Sequence, residues 1–252
     1  MRAAARKNGT KKQRRRSRRT NHLRRLRHIL LLAVAGFLLL SVAPVIALRW
    51  LPPPTSAVML ARTLAEGQRQ TWHWVEIGSI SAYAALAVVA AEDQKFPDHF
   101  GFDLQAIQDA VNDNARGQRL RGASTLSQQV ARNLFLWQGR SYLRKGLEAW
   151  MTVLLEVLWS KQRILEVYLN IAETGERTFG FEAAARRYFG RPAGTLTPEQ
   201  AALIAAVLPN PRRLHVDRPS TYVIERRDHI MQQMDQLGGV TYLAGILPDY
   251  RD

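Results

Sequence analysis

A mainly α-helical domain carried on one N-terminal membrane helix is what this chain of 252 residues predicts. Three observations support that reading. Residues 29–48 contain no charge, apolar residues recur at helical spacing through most of the remaining chain, and few stretches alternate with the period of two that a half-buried strand requires. At 46% hydrophobic residues the chain can bury a substantial core. It has no cysteine, which excludes disulfides, thiolate metal sites and a Cys nucleophile.

The formal charge of +15 is unevenly distributed, because residues 1–28 hold 13 of the 36 Lys and Arg and no acid. Such an arm by itself suits nucleic acid or an anionic membrane surface. The run that follows, ILLLAVAGFLLLSVAPVIAL, favours the membrane: at about 1.5 Å per residue its twenty residues span a hydrocarbon core of roughly 30 Å. It is longer than the ~7–15 residue core of a signal peptide, and no convincing cleavage site follows it. The expectation is an uncleaved membrane anchor. The basic arm then stays in the cytoplasm and the chain from residue 50 lies on the other side, which argues against nucleic acid as a partner.

RWLPPPTS (49–56) begins a stalk expected over residues 49–71, with the main domain at 72–252. There, Ser79 or Ser81 caps an apolar helix that runs to Glu92. Asp103 caps a second helix through Leu104, Ile107 and Val111, ending near Gly117. TLSQ (125–128) has capping-box form and opens a helix through Val130 and Asn133. From 142 to 159, Leu143, Leu147, Trp150, Met151, Leu154 and Leu158 make one apolar stripe, and Ser160 caps the next helix. TPEQ (197–200) places a capping Thr before a Pro at the first helical position. A last helix extends from about Pro219 to Leu237 and stops at Gly238 and Gly239.

Chemistry concentrates in three segments. AAEDQKFPDHFGFD (90–103) ends a helix on two acids, where the macrodipole disfavours their ionised form. With Phe96, Pro97 and Phe102 close in sequence, Glu92 is expected to have a raised pKa, which suits a general base. His99 orients an acid, meets a phosphate or is merely structural, and no second His stands at metal-ligand spacing. RGASTLSQQVARN (121–133) puts Gly122 before Ser124 and Thr125, then gathers Gln128, Gln129, Arg132 and Asn133 within about two turns. That set suits phosphate or sugar, or else an ordinary capped helix with a polar face. In the third segment Arg144, Lys145 and Glu148 share one helical sector, as a solvated charged face also would.

EDQKFPDHFGFD (92–103), RGASTLSQQ (121–129), RKGLEA (144–149) and KQRILEVYLN (161–170) stand in the order and spacing of the family 51 glycosyltransferases, the peptidoglycan transglycosylases. The resemblance runs from about residue 72 to 239, through FGFEAAARRYFG (180–190) and LPNPRR (208–213), and is nearest to the short, monofunctional biosynthetic form. A transpeptidase domain would need far more chain and a Ser-x-x-Lys motif.

The resemblance implies a lysozyme-like helical domain with a small membrane-proximal jaw. It also implies polymerisation of lipid II into β-1,4 glycan, with inversion and release of undecaprenyl diphosphate. It assigns the base to Glu92 and a second essential acid to Glu148. Arg132, Arg144 and Lys145 match the cations at the diphosphate, with Mg or Mn as an optional divalent cofactor there. Ser124, Thr125, Gln128, Gln129 and Asn133 match polar donors; Asp93, Phe96 and His99 shape the first motif; Tyr168 and Asn170 support the fourth. The implied partners are lipid II, the nascent lipid-linked glycan and the membrane, with room for cell-wall synthesis or division proteins.

This chain departs from the family pattern at Arg132, where Lys is common, and at Thr174 in ETGERTFG (173–180), where the monofunctional subgroup has Trp. LFLWQGRSYL (134–143) sets apolar side chains beside Arg140, as a bilayer-interface segment or as core. Two rival readings share the fold. A glycan-cleaving enzyme also uses a catalytic Glu but has little use for a cation cluster, and a non-catalytic scaffold predicts loss of Glu92 or Glu148.

Overall fold

The computed structural model describes residues 3–115, 124–139 and 141–247. The expected helix end near Gly117, Gly122 in the second segment, and Arg140 lie outside the described residues, as does the side chain of Val111. The chain forms two compact units, residues 1–47 and 48–252.

The first unit is helix α1 (Ala3–Ala47), whose part from Arg24 to Ala47 is long and apolar enough to cross a membrane. Its one hydroxyl in the apolar half, on Ser41, donates to the carbonyls of Phe37 (2.8 Å) and Leu38 (3.2 Å), so that group is satisfied within the helix.

The second unit begins with a helix inside the segment read as a stalk. Helix α2 (Ala57–Glu66) is capped by Ser56, whose Oγ accepts from the Met59 N–H, and ends at Gly67 in the left-handed conformation. Strand β1 (Thr71–Trp72) follows, then α3 (Ala82–Glu92), capped by Ser81 rather than Ser79. Helix α3 is buried on every face from Ala84 to Ala90, as a helix apolar all round must be. Helix α4 (Leu104–Ala115) is capped by Asp103, and α5 (Leu126–Phe135) has the complete Thr125–Gln128 capping box. Helices α6 (Tyr142–Leu158) and α7 (Lys161–Ile171) start at the Ser141 and Ser160 caps.

A hairpin comes next, β2 (Glu173–Gly175) and β3 (Thr178–Phe179), and β1 pairs with β3 in parallel to give the order β1-β3-β2. Thr174, where the subgroup pattern has Trp, is fully buried in this hairpin and donates to the Thr178 carbonyl (3.2 Å). The remaining helices are α8 (Phe181–Phe189), α9 (Pro198–Val207) and α10 (Thr221–Gln236). Helix α3 packs against α9 and α10, while α5 lies against α6 and α7 and also touches α2. The site residues lie at the ends and faces where these two helical groups meet.

Candidate active site

Glu92 is the last residue of α3, and Asp93 then leaves the helix with φ of −161°. Asp93 joins three elements: its carboxylate accepts from the Leu126 N–H at the start of α5 (2.8 Å) and pairs with His99 Nε2 (2.9 Å). His99 Nδ1 accepts from the Gly101 N–H, and the Gly101 carbonyl accepts from the Thr125 hydroxyl (2.7 Å). Gly101 has φ of +79°, and a Cβ there would lie 2.8 Å from Thr152. Phe96 is fully buried, its ring edge-on to His99 and 4.5 Å from Lys161 Nζ. Asp93, Phe96, His99, Thr125 and Gln128 therefore fix the two helix ends, with Thr125 Oγ1 and Gln128 Oε1 accepting the two hydrogen bonds of the cap.

That frame holds Glu92 opposite Gln129. Gln129 Nε2 donates to Glu92 Oε2 (3.0 Å), while the Tyr168 hydroxyl donates to Gln129 Oε1 (3.3 Å) and so fixes the amide's orientation. Arg226 of α10 stands 3.5 Å from Glu92 Oε1. Burial raises the Glu92 pKa; the Gln129 hydrogen bond and the charges of Arg226 and Arg132 pull it back, and Asp93 adds to the rise. The net result is a carboxylate held above its usual range, as the sequence predicts. Burial also holds the Tyr168 hydroxyl well above the usual tyrosine range, so it stays a donor.

Two adjoining clefts share Gln129, Arg132, Leu208 and Pro209 as common walls. One, of about 680 Å³, is lined by Glu92, Ser124 and the α10 residues Tyr222, Arg226, His229 and Gln233. The other, of about 540 Å³, contains Asn133, Arg144 and Tyr168 together with Arg62, Glu173, Asn210 and Arg212. Both volumes suit a sizeable ligand. Arg132 donates from Nε to Asn133 Oδ1 (3.2 Å), which leaves its terminal nitrogens for the cleft.

Glu148 lines neither cleft. Its side chain is 2% exposed, with Oε2 on Arg144 Nη1 (2.7 Å) and Oε1 on Lys145 Nζ. Both oxygens are thus engaged by cations. Among the described residues no group of three or more His, Asp or Glu side chains is placed to hold a metal ion. Asn170 also stays away from the clefts. Its side chain exchanges two hydrogen bonds with the Val75 backbone, and its backbone carbonyl accepts from Trp72 Nε1 (2.8 Å).

A transglycosylase family model matches residues 58–235. The chain belongs to the transglycosylase family. It is similar to the biosynthetic peptidoglycan transglycosylase of Pseudomonas fluorescens strain Pf-5, 54% identical over 88% of this chain and 94% of the relative. The proteins of that name from Pseudomonas syringae pv. syringae (51% identical, 89% and 95% covered) and Yersinia pseudotuberculosis serotype O:3 (54%, 83% and 90%) are similar as well. The family match begins inside α2.

Several residues at the transglycosylase clefts were not legible as site residues. Tyr222, Arg226, His229 and Gln233 form a polar stripe at i, i+4, i+7 and i+11 on α10, a signal that an outward-facing surface stripe would give equally. Arg62 and Glu173 are 111 positions apart and meet only in the folded chain.

Proposed function

We propose that these clefts polymerise lipid II into peptidoglycan glycan strands, with the lipid-linked growing chain as donor and the GlcNAc 4-hydroxyl of lipid II as acceptor. Glycan synthesis for the cell wall follows from the family and from relatives that bear the biosynthetic name. Inverting transfer from a lipid diphosphate needs a base for the acceptor hydroxyl and, separately, cations for the departing diphosphate. Glu92 takes the proton from the 4-hydroxyl as the oxygen attacks the anomeric carbon of the donor. Arg144 and Arg132 meet the diphosphate oxygens as the anomeric C–O bond breaks, with Lys145 beside them. Glu148 holds Arg144 and Lys145 in place.

The observation that carries this reading is a cleft-lining carboxylate whose proton affinity burial has raised, next to a wall that contributes Arg132 and Arg144. In the same reading α1 anchors the enzyme in the bacterial inner membrane with its basic arm in the cytoplasm, so that the domain meets lipid-linked substrate on the outer side. The test is incubation of the purified full-length protein with labelled lipid II. Lengthened glycan and free undecaprenyl diphosphate are expected. Cleavage of preformed glycan without any elongation would overturn the proposal.

A further inference from the structure

Among the described residues, Arg62, Arg144 and Arg226 each have a buried Nε with no hydrogen-bond partner. All three line the two clefts. Arg163, Arg186 and Arg227, which line neither, place their Nε on the Leu48 carbonyl, Glu182 and Asp228. A buried donor left unmet costs about 1–3 kcal/mol, so three such donors along one pair of clefts point to acceptors that the substrate brings. The diphosphate accounts for Arg144, and Arg226 faces Glu92. Arg62 has neither role.

Arg62 rises from α2 and donates from Nη2 to Glu173 Oε2 of β2 (3.2 Å). Both line the cleft, and the Arg62 side chain is the more open of the two, 30% exposed against 15% for Glu173. Asn210 and Arg212, from the turn after α9, line the same cleft. Arg212 is held by Glu66, again a residue of α2. The cleft therefore has a second cationic wall, built from α2 and the turn after α9 and separate from the α5–α6 wall that bears Arg132 and Arg144. Burial also raises the Glu173 pKa, with the Arg62 charge pulling it back.

We propose that Arg62, assisted by Arg212 and Asn210, forms a second anion-binding subsite that takes an anionic oxygen group of the lipid-linked substrate, with Glu173 as the internal placeholder that the group displaces. The inference rests on the polymerase reading for the identity of the substrate. Its chemistry, a planar fork meeting a carboxylate or a phosphate, fits either a stem-peptide carboxylate or a second diphosphate.

The test is equilibrium binding of labelled lipid II to the full-length protein, which needs no turnover and so stands apart from failure of the polymerase reading. Glu173→Gln is expected to tighten binding several-fold, because the competing charge is gone. Arg62→Ala made in the Glu173→Gln background, where no buried carboxylate is left unpaired, is expected to weaken it about 10-fold relative to Glu173→Gln alone, the scale of one charge-assisted contact. Repeating both with a lipid-linked disaccharide diphosphate that lacks peptide identifies the group. Loss of both effects assigns a peptide carboxylate, and their persistence assigns a phosphate. Unchanged binding in both variants together with a lowered Tm would make Arg62–Glu173 a structural strut and overturn the subsite.

Discussion

Glu92, in the last turn of α3, has one oxygen on the Gln129 amide and the other 3.5 Å from Arg226. Glu148, in the second turn of α6, has both oxygens on cations of its own helix and is closed off from solvent. Glu92 lines a cleft, and its proton affinity is raised by burial that the Gln129 hydrogen bond and the Arg226 and Arg132 charges offset only in part. Glu148 lines neither cleft and has a cation on each oxygen. The two acids of one family motif set differ in their partners, and in the proposed mechanism the one with the weaker partners serves as the base and the one with the stronger partners as a mount for Arg144 and Lys145.

The most severe break in that comparison is Glu92→Gln, which should lower kcat by roughly 10²–10⁴-fold while lipid II still binds, because the amide cannot take the proton. Polymerisation assay and equilibrium binding on the same preparation check it. Glu148→Ala should behave differently, costing about 1–3 kcal/mol of stability by leaving the largely buried Arg144 guanidinium without its carboxylate, while the half-exposed Lys145 turns to water. It should also lower kcat/KM through displaced cations, and denaturant melts read the first effect. A Glu148→Ala protein as stable as wild type would contradict the mounting role. Arg144→Ala should cost about 10–100-fold in kcat/KM, on the scale of a charge-assisted hydrogen bond, without moving the pH profile.

The smallest effect is on stability. Glu92 holds its proton more tightly folded than unfolded, so its contribution is full below the usual value of 4.5 and is lost as pH rises through the raised folded value. Glu92→Gln should therefore melt no lower than wild type at neutral pH, and any advantage should fade towards pH 4. A catalytic carboxylate that costs the fold stability at working pH is the expected sign of a functional site.

Much of the α3–α5 region was readable before any coordinates, because its signals are local. Serine and threonine caps, the TLSQ box and the all-apolar run of α3 each settle structure within a few residues, and Glu92 ends its helix where the sequence places it. Helix α2 was hidden by the prolines ahead of it, and the strands of two or three residues are too short to show a period. Thr125, Gln128 and Asn170 belong to the right motifs, yet their polar groups serve the backbone. No local pattern distinguishes a side chain that will face substrate from one that will cap a helix. The α10 stripe and the Arg62–Glu173 pair depend on contacts across more than 100 positions and become visible only in the fold.

The central claim, that Glu92 is the base because its surroundings hold its pKa up, is tested most directly by the pH dependence of kcat/KM for lipid II polymerisation. Wild type should show an acid limb whose midpoint lies above the usual glutamate value. Gln129→Leu should move that midpoint up, and Arg226→Ala should move it up by less, since each removes a group that favours the ionised form, Gln129 the more strongly. An acid limb at the ordinary glutamate value, or one that neither variant moves, would contradict the assignment of Glu92 as the base.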